Sequence, residues 1–234
     1  MLTTKLNQFT VSFPNSQEYH QLKREIFSLH TYYLEDDLKK PYIIDAGAHI
    51  GLSTLYFKSL WPDTQILAIE PNPKSLEFLD HNLAQNLIDN VTIERVALAT
   101  SVGETDFYID SSDDDWQSTA SLHPAAWTNT RPGEPVKVPT QTLGHYLNES
   151  VDILKMDIEG VEEKVLLSAG EKIRQVKHLF VEFHGRPDNS LPPIVEFLQE
   201  NGFAVDVWKD QKSIQPTKVV GLAIIEARQK QSGS

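Results

Sequence analysis

From Glu18 to Leu34 the apolar residues Tyr19, Leu22, Ile26, Leu29 and Tyr33 recur in steps of three and four, which predicts one face of an amphipathic helix. Pro41 ends the charged stretch that follows. Tyr42-Ile43-Ile44-Asp45 then predicts a short buried strand running into a glycine-containing turn, with a helix from about Leu52 to Leu60. Gln65 to Ile69 reads as a second strand. Leu76, Leu79, Leu83 and Leu87 give the next helix its apolar face, with Pro73 suited to its first turn, and Val91 to Leu98 forms a third strand. Strands alternating with helices of this length indicate parallel βαβ units in a doubly wound α/β sheet.

The alternation pauses from Ser101 to Pro139, where Thr105 to Ile109 suggests an extra strand and 110–135 is rich in Asp, Ser, Thr and Pro. Within it, Asp113 to Ser121 combines charge, an aromatic and hydroxyls, a composition shared by functional lids and by solvated acidic turns. Regularity resumes with a strand at Val151 to Met156, a helix at Val161 to Ala169 and a strand at His178 to Phe183. Asn189 or Ser190 caps a helix reaching Glu200. Phe203 to Trp208 and Val219 to Ile225 close the sheet as a hairpin. With no internal repeat and no linker, the expectation is one α/β domain over 41–228. A helical segment over 1–40 precedes it, either covering an acceptor pocket or packing beside the sheet, and 229–234 follows as a disordered tail.

Composition narrows the function. The 234 residues carry 21 basic and 33 acidic side chains, a net charge of −12, and such a surface repels phosphate backbones and anionic headgroups. Neither nucleic acid nor membrane is expected as a partner. The absence of cysteine removes disulfides, thiolate metal sites and thiol nucleophiles. The N-terminus lacks the apolar core of a signal peptide and no run approaches a membrane span, so a cytoplasmic location is expected and the N-x-[ST] matches at Asn90 and Asn148 read as chance.

The segment Ile44 to Thr54 is a strand, a glycine turn and a helix start, an arrangement that binds anions and cofactors. Gly47 and Gly51 let backbone approach a ligand, so Gly47→Val should abolish cofactor binding more than it lowers stability. Glu70 ends the next strand, 19 residues after Gly51, where a carboxylate can accept from both ribose hydroxyls. The dinucleotide fingerprint needs a middle glycine where this chain has His49, which would crowd a pyrophosphate. S-adenosylmethionine has no pyrophosphate, and Asp45 would meet its ammonium better than a phosphate. An ordinary glycine turn with Asp45 as its cap is the plainer alternative.

These residues resemble a known family. Asp45 to Thr54, Ala68-Ile-Glu-Pro-Asn72 and Leu154 to Glu162 are similar to the FkbM family of S-adenosylmethionine-dependent methyltransferases, the likeness running from about Ile26 to Phe183. It implies a seven-stranded, mostly parallel class I methyltransferase sheet and methylation of a hydroxyl on a small molecule or sugar-containing metabolite. His49 stands where many members have Asn. The expected cofactor residues are Asp45, Gly47, Ala48, His49, Gly51, Thr54, Glu70, Pro71, Asn72, Ala97 and Asp157.

For chemistry, Lys155 and Asp157 share strand parity at a carboxyl strand end, where Asp157 could hold the cofactor ammonium or act as a base and Lys155 could hold a substrate oxygen or pair with Glu159. Glu162 reads as favouring the following helix N-terminus through its dipole. Glu182 and His184 share a face at the next strand end. His184 is either a general base, contributing about 10²- to 10⁴-fold, or a structural histidine. No histidine spacing points to a metal. Two other functions fit parts of the pattern: a nicotinamide oxidoreductase, which lacks its middle glycine, and a nucleoside-binding protein without turnover.

Overall fold

The computed structural model describes residues 1–35, 38–109, 121–122, 134–216 and 221–230. The chain begins with a hairpin, β1 (Leu2–Leu6) paired to β2 (Phe9–Phe13), where a helical segment was expected. Its tight turn uses Asn7 at φ 51°, a conformation asparagine adopts at low cost. Helix α1 (Ser16–Lys23) follows, N-capped by Asn15, whose side-chain oxygen accepts the Glu18 N–H at 2.9 Å. It does not continue regularly to residue 34. Arg24–Ser28 forms a π-helical turn, which holds one more residue per turn and rotates everything after it. Tyr32 is therefore buried while Tyr33, the residue that 3.6-residue spacing turned inward, is 51% exposed.

The remaining elements are β3 (Tyr42–Ala46), α2 (Leu52–Leu60), β4 (Gln65–Ile69), α3 (Pro73–Gln85), β5 (Val91–Glu94), β6 (Ala97–Leu98), β7 (Gly103–Ile109), β8 (Glu134–Gln141), α4 (Leu143–Tyr146), β9 (Val151–Met156), α5 (Glu162–Ser168), β10 (Val176–His184), α6 (Leu191–Glu200), β11 (Phe203–Lys209), β12 (Lys212–Ser213) and β13 (Leu222–Gln229). The main sheet has eight strands rather than seven, in the order β12-β11-β13-β10-β9-β3-β4-β5, the additional one being the two-residue β12 at the edge. Strands β5, β4, β3, β9 and β10 run parallel, and β13 is antiparallel to both its neighbours. Strand order reverses between β3 and β9, and the carboxyl ends of these two strands bound the crevice where such sheets bind ligands.

The stretch read as one strand over 91–98 is two. The chain leaves the main sheet after Glu94, and Ala97–Leu98 joins β8 and β7 in a separate three-stranded sheet. Leu87 also departs from expectation: α3 has already ended at Gln85, and Leu87 sits at φ 57° in solvent. The segment 113–121 lies outside the described residues apart from Ser121.

Alternation along the central strands sends Ile44, Leu154 and Val181 to the face covered by α5 and α6, and Ile43, Ile153 and Phe180 to the other. On that second face the N-terminal Leu6, Phe9, Val11, Phe13, Tyr19 and Ile26 join Leu55, Tyr56 and Phe57 of α2. The N-terminal segment is thus part of the core. It is also stitched to α3: Asn82 Oδ1 accepts the Ser12 N–H and its Nδ2 donates to Ser12 O, and Asn86 repeats both bonds with Thr10. Asn82 on α3 and Asn86 at its C-cap, one turn apart, thereby match residues two apart on β2, closing its free edge. At the other terminus, Gln229 still belongs to β13 and the Lys230 N–H donates to Gly202 O; 231–234 lie outside the described residues. No helix among the described residues is long and apolar enough to cross a membrane.

Candidate functional site

At the end of β3 the chain turns through Gly47 (φ 79°), His49 (φ 51°) and Gly51 (φ 92°) into α2. Asp45, fully buried, organises this turn. Its Oδ2 accepts from both Ser53 Oγ and Thr54 Oγ1 at 2.7 Å, and its Oδ1 lies 3.4 Å from Lys155 Nζ. The ammonium of Lys155 donates to Gly47 O at 2.6 Å and stands 3.9 Å from Asp157 Oδ2. Burial opposes the charge on Lys155, but Asp45, Asp157 and Glu182 outweigh it and raise its pKa. Lys155 is thus a brace between β9 and the turn.

Glu70, at the end of β4, receives the His49 N–H on Oε2 and the Asn72 N–H on Oε1, each at 2.8 Å. Burial raises its pKa to about 7 against the pull of those two bonds. Each oxygen keeps a second acceptor site. Asn72 caps α3 by accepting the Lys74 N–H. His49 takes the positive φ that histidine tolerates and asparagine prefers, and burial lowers its pKa, leaving a neutral ring 3.7 Å from Glu18 Oε1.

Two cavities meet here. The smaller is lined by Gly47, His49, Glu70, Pro71, Ala97, Asp157 and Glu159, and by the apolar side chains of Val96, Phe107, Leu122, Ile158 and Val161. The larger, 880 Å³, is bounded by Ala48, Lys155, Asp157 and Glu182, by Glu25, Ile26 and Tyr32 of the N-terminal segment, and by Trp208 and Leu222 of β11 and β13. Asp157, Gly47 and His49 border both. Of the residues expected at the cofactor, Asp45, Gly51, Thr54 and Asn72 line neither cavity and act by holding those that do. The apolar slot was not legible in the sequence because Phe107 belongs to the second sheet and Leu122 packs against that sheet, both far from the glycine turn in the chain.

His184 also lines neither cavity. Its Nδ1 contacts Glu162 Oε1 at 3.0 Å, and its Nε2 faces Glu159 Oε2 at 3.5 Å and Asp157 Oδ1 at 3.9 Å. Burial works against a proton on this ring, but the Glu162 bond and the charges of Glu159 and Asp157 win and push its pKa up to about 10. Of the two readings the sequence offers for His184, general base or structural histidine, a ring closed between Glu162 and Glu159 and lining neither cavity favours the second. Glu162 is more than a helix-dipole partner. Completely buried, it accepts from Gly160 N–H and from Asn189 Nδ2 as well.

Glu182 reaches the larger cavity, where Tyr32 Oη donates to its Oε2 at 3.3 Å; burial, then Asp157, raise its pKa to about 8. Asp157, Glu182 and His184 bring one ligand atom each to within 4.8 Å of one another, a grouping that local spacing did not reveal.

These shifts give stability a pH dependence. Glu70, Glu182 and His184 keep protons in the folded state at pH values where the unfolded chain has lost them, so folding binds protons between about pH 5 and 10. The contribution of His184 is whole below about 6.5 and is lost as pH climbs through about 10, while the cost of ionising the two buried carboxyls grows from about 4.5 upward. Stability should fall steadily from about pH 5 to about pH 9, by up to about 1.4 kcal/mol per pH unit for each group titrating, and the melting temperature with it. Circular dichroism melts in a constant-ionic-strength buffer series check this; a level or rising profile would contradict it.

Comparison with known proteins agrees with this architecture. Residues 45–205 match the family model of the methyltransferase FkbM domain. The chain is 28% identical over 220 residues to methyltransferase sdnD of Sordaria araneosa, covering 82% of this chain and 84% of that one. It is 24% identical over 196 residues to the 2-O-methyltransferase NoeI of Sinorhizobium fredii, covering 78% and 76%. In three dimensions it resembles the methyltransferase FkbM of Methylobacillus flagellatus with a TM-score of 0.55 at 15% identity, covering 83% of this chain but spanning only 46% of that protein. With the family model matching well over half of its length, the chain belongs to the FkbM methyltransferase family.

Proposed function

We propose that the protein is an S-adenosylmethionine-dependent O-methyltransferase acting on a hydroxyl of a small molecule or sugar-containing metabolite. The observation that carries this reading is the meeting of the two cavities at Asp157. The smaller fits the cofactor: Glu70 offers its remaining acceptor sites to the ribose hydroxyls, Val96, Phe107 and Leu122 form an apolar slot for a flat base, and Asp157, which borders both cavities, sets a carboxylate beside the place of a cationic aminoacyl end. When bound, the cofactor supplies an electrophilic methyl on a sulfonium.

The protein's own contribution is position and surroundings. The larger cavity presents Asp157 and Glu182 as hydrogen-bond acceptors for an acceptor hydroxyl, with Trp208, Leu222 and Tyr33 as apolar walls. Carboxylates here repel phosphorylated or carboxylated acceptors and suit a neutral, hydroxylated one. Tyr32 and Lys155 fix the floor. Holding a hydroxyl in line with the methyl converts a bimolecular encounter into an intramolecular one, and the proton that the hydroxyl gives up passes to the Asp157 carboxylate that accepts its hydrogen bond, so no histidine base is required. Oxygen as the accepting atom is supported by the likeness to a 2-O-methyltransferase.

Calorimetry with S-adenosylhomocysteine should show binding, and Glu70→Ala should weaken it several-fold to a hundredfold, since hydrogen bonds to a charged acceptor are worth about 1.5 to 3 kcal/mol each before water replaces them. Tritium transfer from methyl-labelled cofactor to glycosides with a free 2-hydroxyl tests the chemistry. Absence of binding to the folded protein, or unchanged affinity in a folded Glu70→Ala variant, would overturn the reading.

A further inference from the structure

We propose that Asp157, Glu182 and His184 form a binding site for a hard divalent cation of the Mn²⁺ or Mg²⁺ class, beside the junction of the two cavities. The three side chains come from neighbouring strand ends, Asp157 just beyond β9 and the other two from one face of β10. Their ligand atoms lie within 4.8 Å of one another. Donors around such a cation sit roughly 3 to 4 Å apart, given bonds of about 2.0 to 2.2 Å, so small side-chain rotations close the set.

Three observations point to a cation and not merely to crowded acids. First, His184 is oriented as a metal ligand is: Nδ1 is fixed on the buried carboxylate of Glu162, which directs Nε2 at Asp157 and Glu159. Second, Asp157 Oδ1 and Glu159 Oε2 are both buried without a hydrogen-bond donor among the described residues, and both point at that same nitrogen. Third, the nearest ammonium, Lys155, is committed to Asp45 and to Gly47 O and stands 3.9 Å from the other oxygen of Asp157. Three carboxyl groups thus crowd around one imidazole nitrogen, and a divalent ion placed among them would engage ligand atoms from Asp157, Glu182 and His184 together.

The donor set sorts the ion. Two carboxylates and one imidazole, with Glu159 at the margin and the 880 Å³ cavity open on the Asp157–Glu182 side, leave room for water or an acceptor hydroxyl in the remaining positions. With no thiolate available, soft ions have no preferred partner.

The test is made without cofactor or acceptor, so its outcome does not depend on the methyl-transfer reading. Chelator-treated protein is titrated with MnCl₂ while free Mn²⁺ is followed by electron paramagnetic resonance. One ion per chain should bind, MgCl₂ should compete, and Glu182→Gln should weaken binding at least tenfold, about the loss that even outer partners of a ligand produce. Melting supplies a second readout: Mn²⁺ should raise the melting temperature of the native protein and not that of Glu182→Gln, whereas without metal that variant should melt higher than the native protein because the cost of burying an acidic group there is gone. No saturable binding at millimolar Mn²⁺, or equal affinity in folded Glu182→Gln and His184→Ala, would overturn the proposal.

Discussion

Gly47→Val is expected to melt about 6 to 20 °C below the native protein, with no ligand present. The residue sits at φ 79°, and a Cβ there would lie 1.7 Å from the carbonyl oxygen of Asp157 and 2.8 Å from its carbon. Those are backbone atoms at the end of the adjacent strand, held by the Asp157 N–H to Ala46 O bond at 3.0 Å, so they cannot step aside without parting β3 from β9. Left-handed strain and a backbone collision together justify about 3 to 5 kcal/mol, and at this chain length each kcal/mol shifts melting by roughly 2 to 4 °C. The ligand-based reason given to this glycine by the sequence is therefore second to a structural one. Thermal unfolding followed by circular dichroism decides: a variant that melts like the native protein yet fails to bind S-adenosylhomocysteine would restore the ligand as the cause.

Lys155→Met should cost about 3 to 5 kcal/mol, the range found when one partner of a buried ion pair is removed. Methionine fills similar space, so the loss isolates charge and hydrogen bonding. Asp45 would be left buried with only the Ser53 and Thr54 hydroxyls, and Gly47 O would lose its donor. Adding Asp45→Asn to Lys155→Met should recover part of the loss, because the amide removes the uncompensated charge; a coupling of about 1 to 3 kcal/mol is expected for groups in direct contact. Chemical denaturation of the single and double variants measures it. Simple additivity would mean that the pair does not hold the turn.

Patterns confined to one element were legible in the sequence. Leu52–Leu60, Gln65–Ile69 and Val151–Met156 fall where hydrophobic spacing put them, since each is a short run whose burial follows one period. Glu70 at a strand end and the shared face of Glu182 and His184 were readable for the same reason. What failed depended on distant partners or on a break in period. The π turn at Arg24–Ser28 exchanged Tyr33 for Tyr32 by inserting a residue that no spacing rule contains. The β1–β2 hairpin lacks an Asn-Gly or Asp-Gly turn, and its stabilising asparagines lie some seventy residues downstream. His184 stayed open between base and structural residue because the sequence shows its neighbours Glu182 and Gly185 but not Glu159 and Glu162 closing around it.

The asparagine pair on α3 has a consequence for recombination. Exchange of N-terminal segments among relatives would replace part of the wall of the larger cavity, to which Glu25, Ile26 and Tyr32 contribute. A crossover anywhere between residues 13 and 82 separates Thr10 and Ser12 from Asn86 and Asn82, leaving four strand groups and two carboxamides to find new partners in the chimaera. Segments are portable among relatives that carry both asparagines at this spacing, and elsewhere the graft has to bring α3 with it.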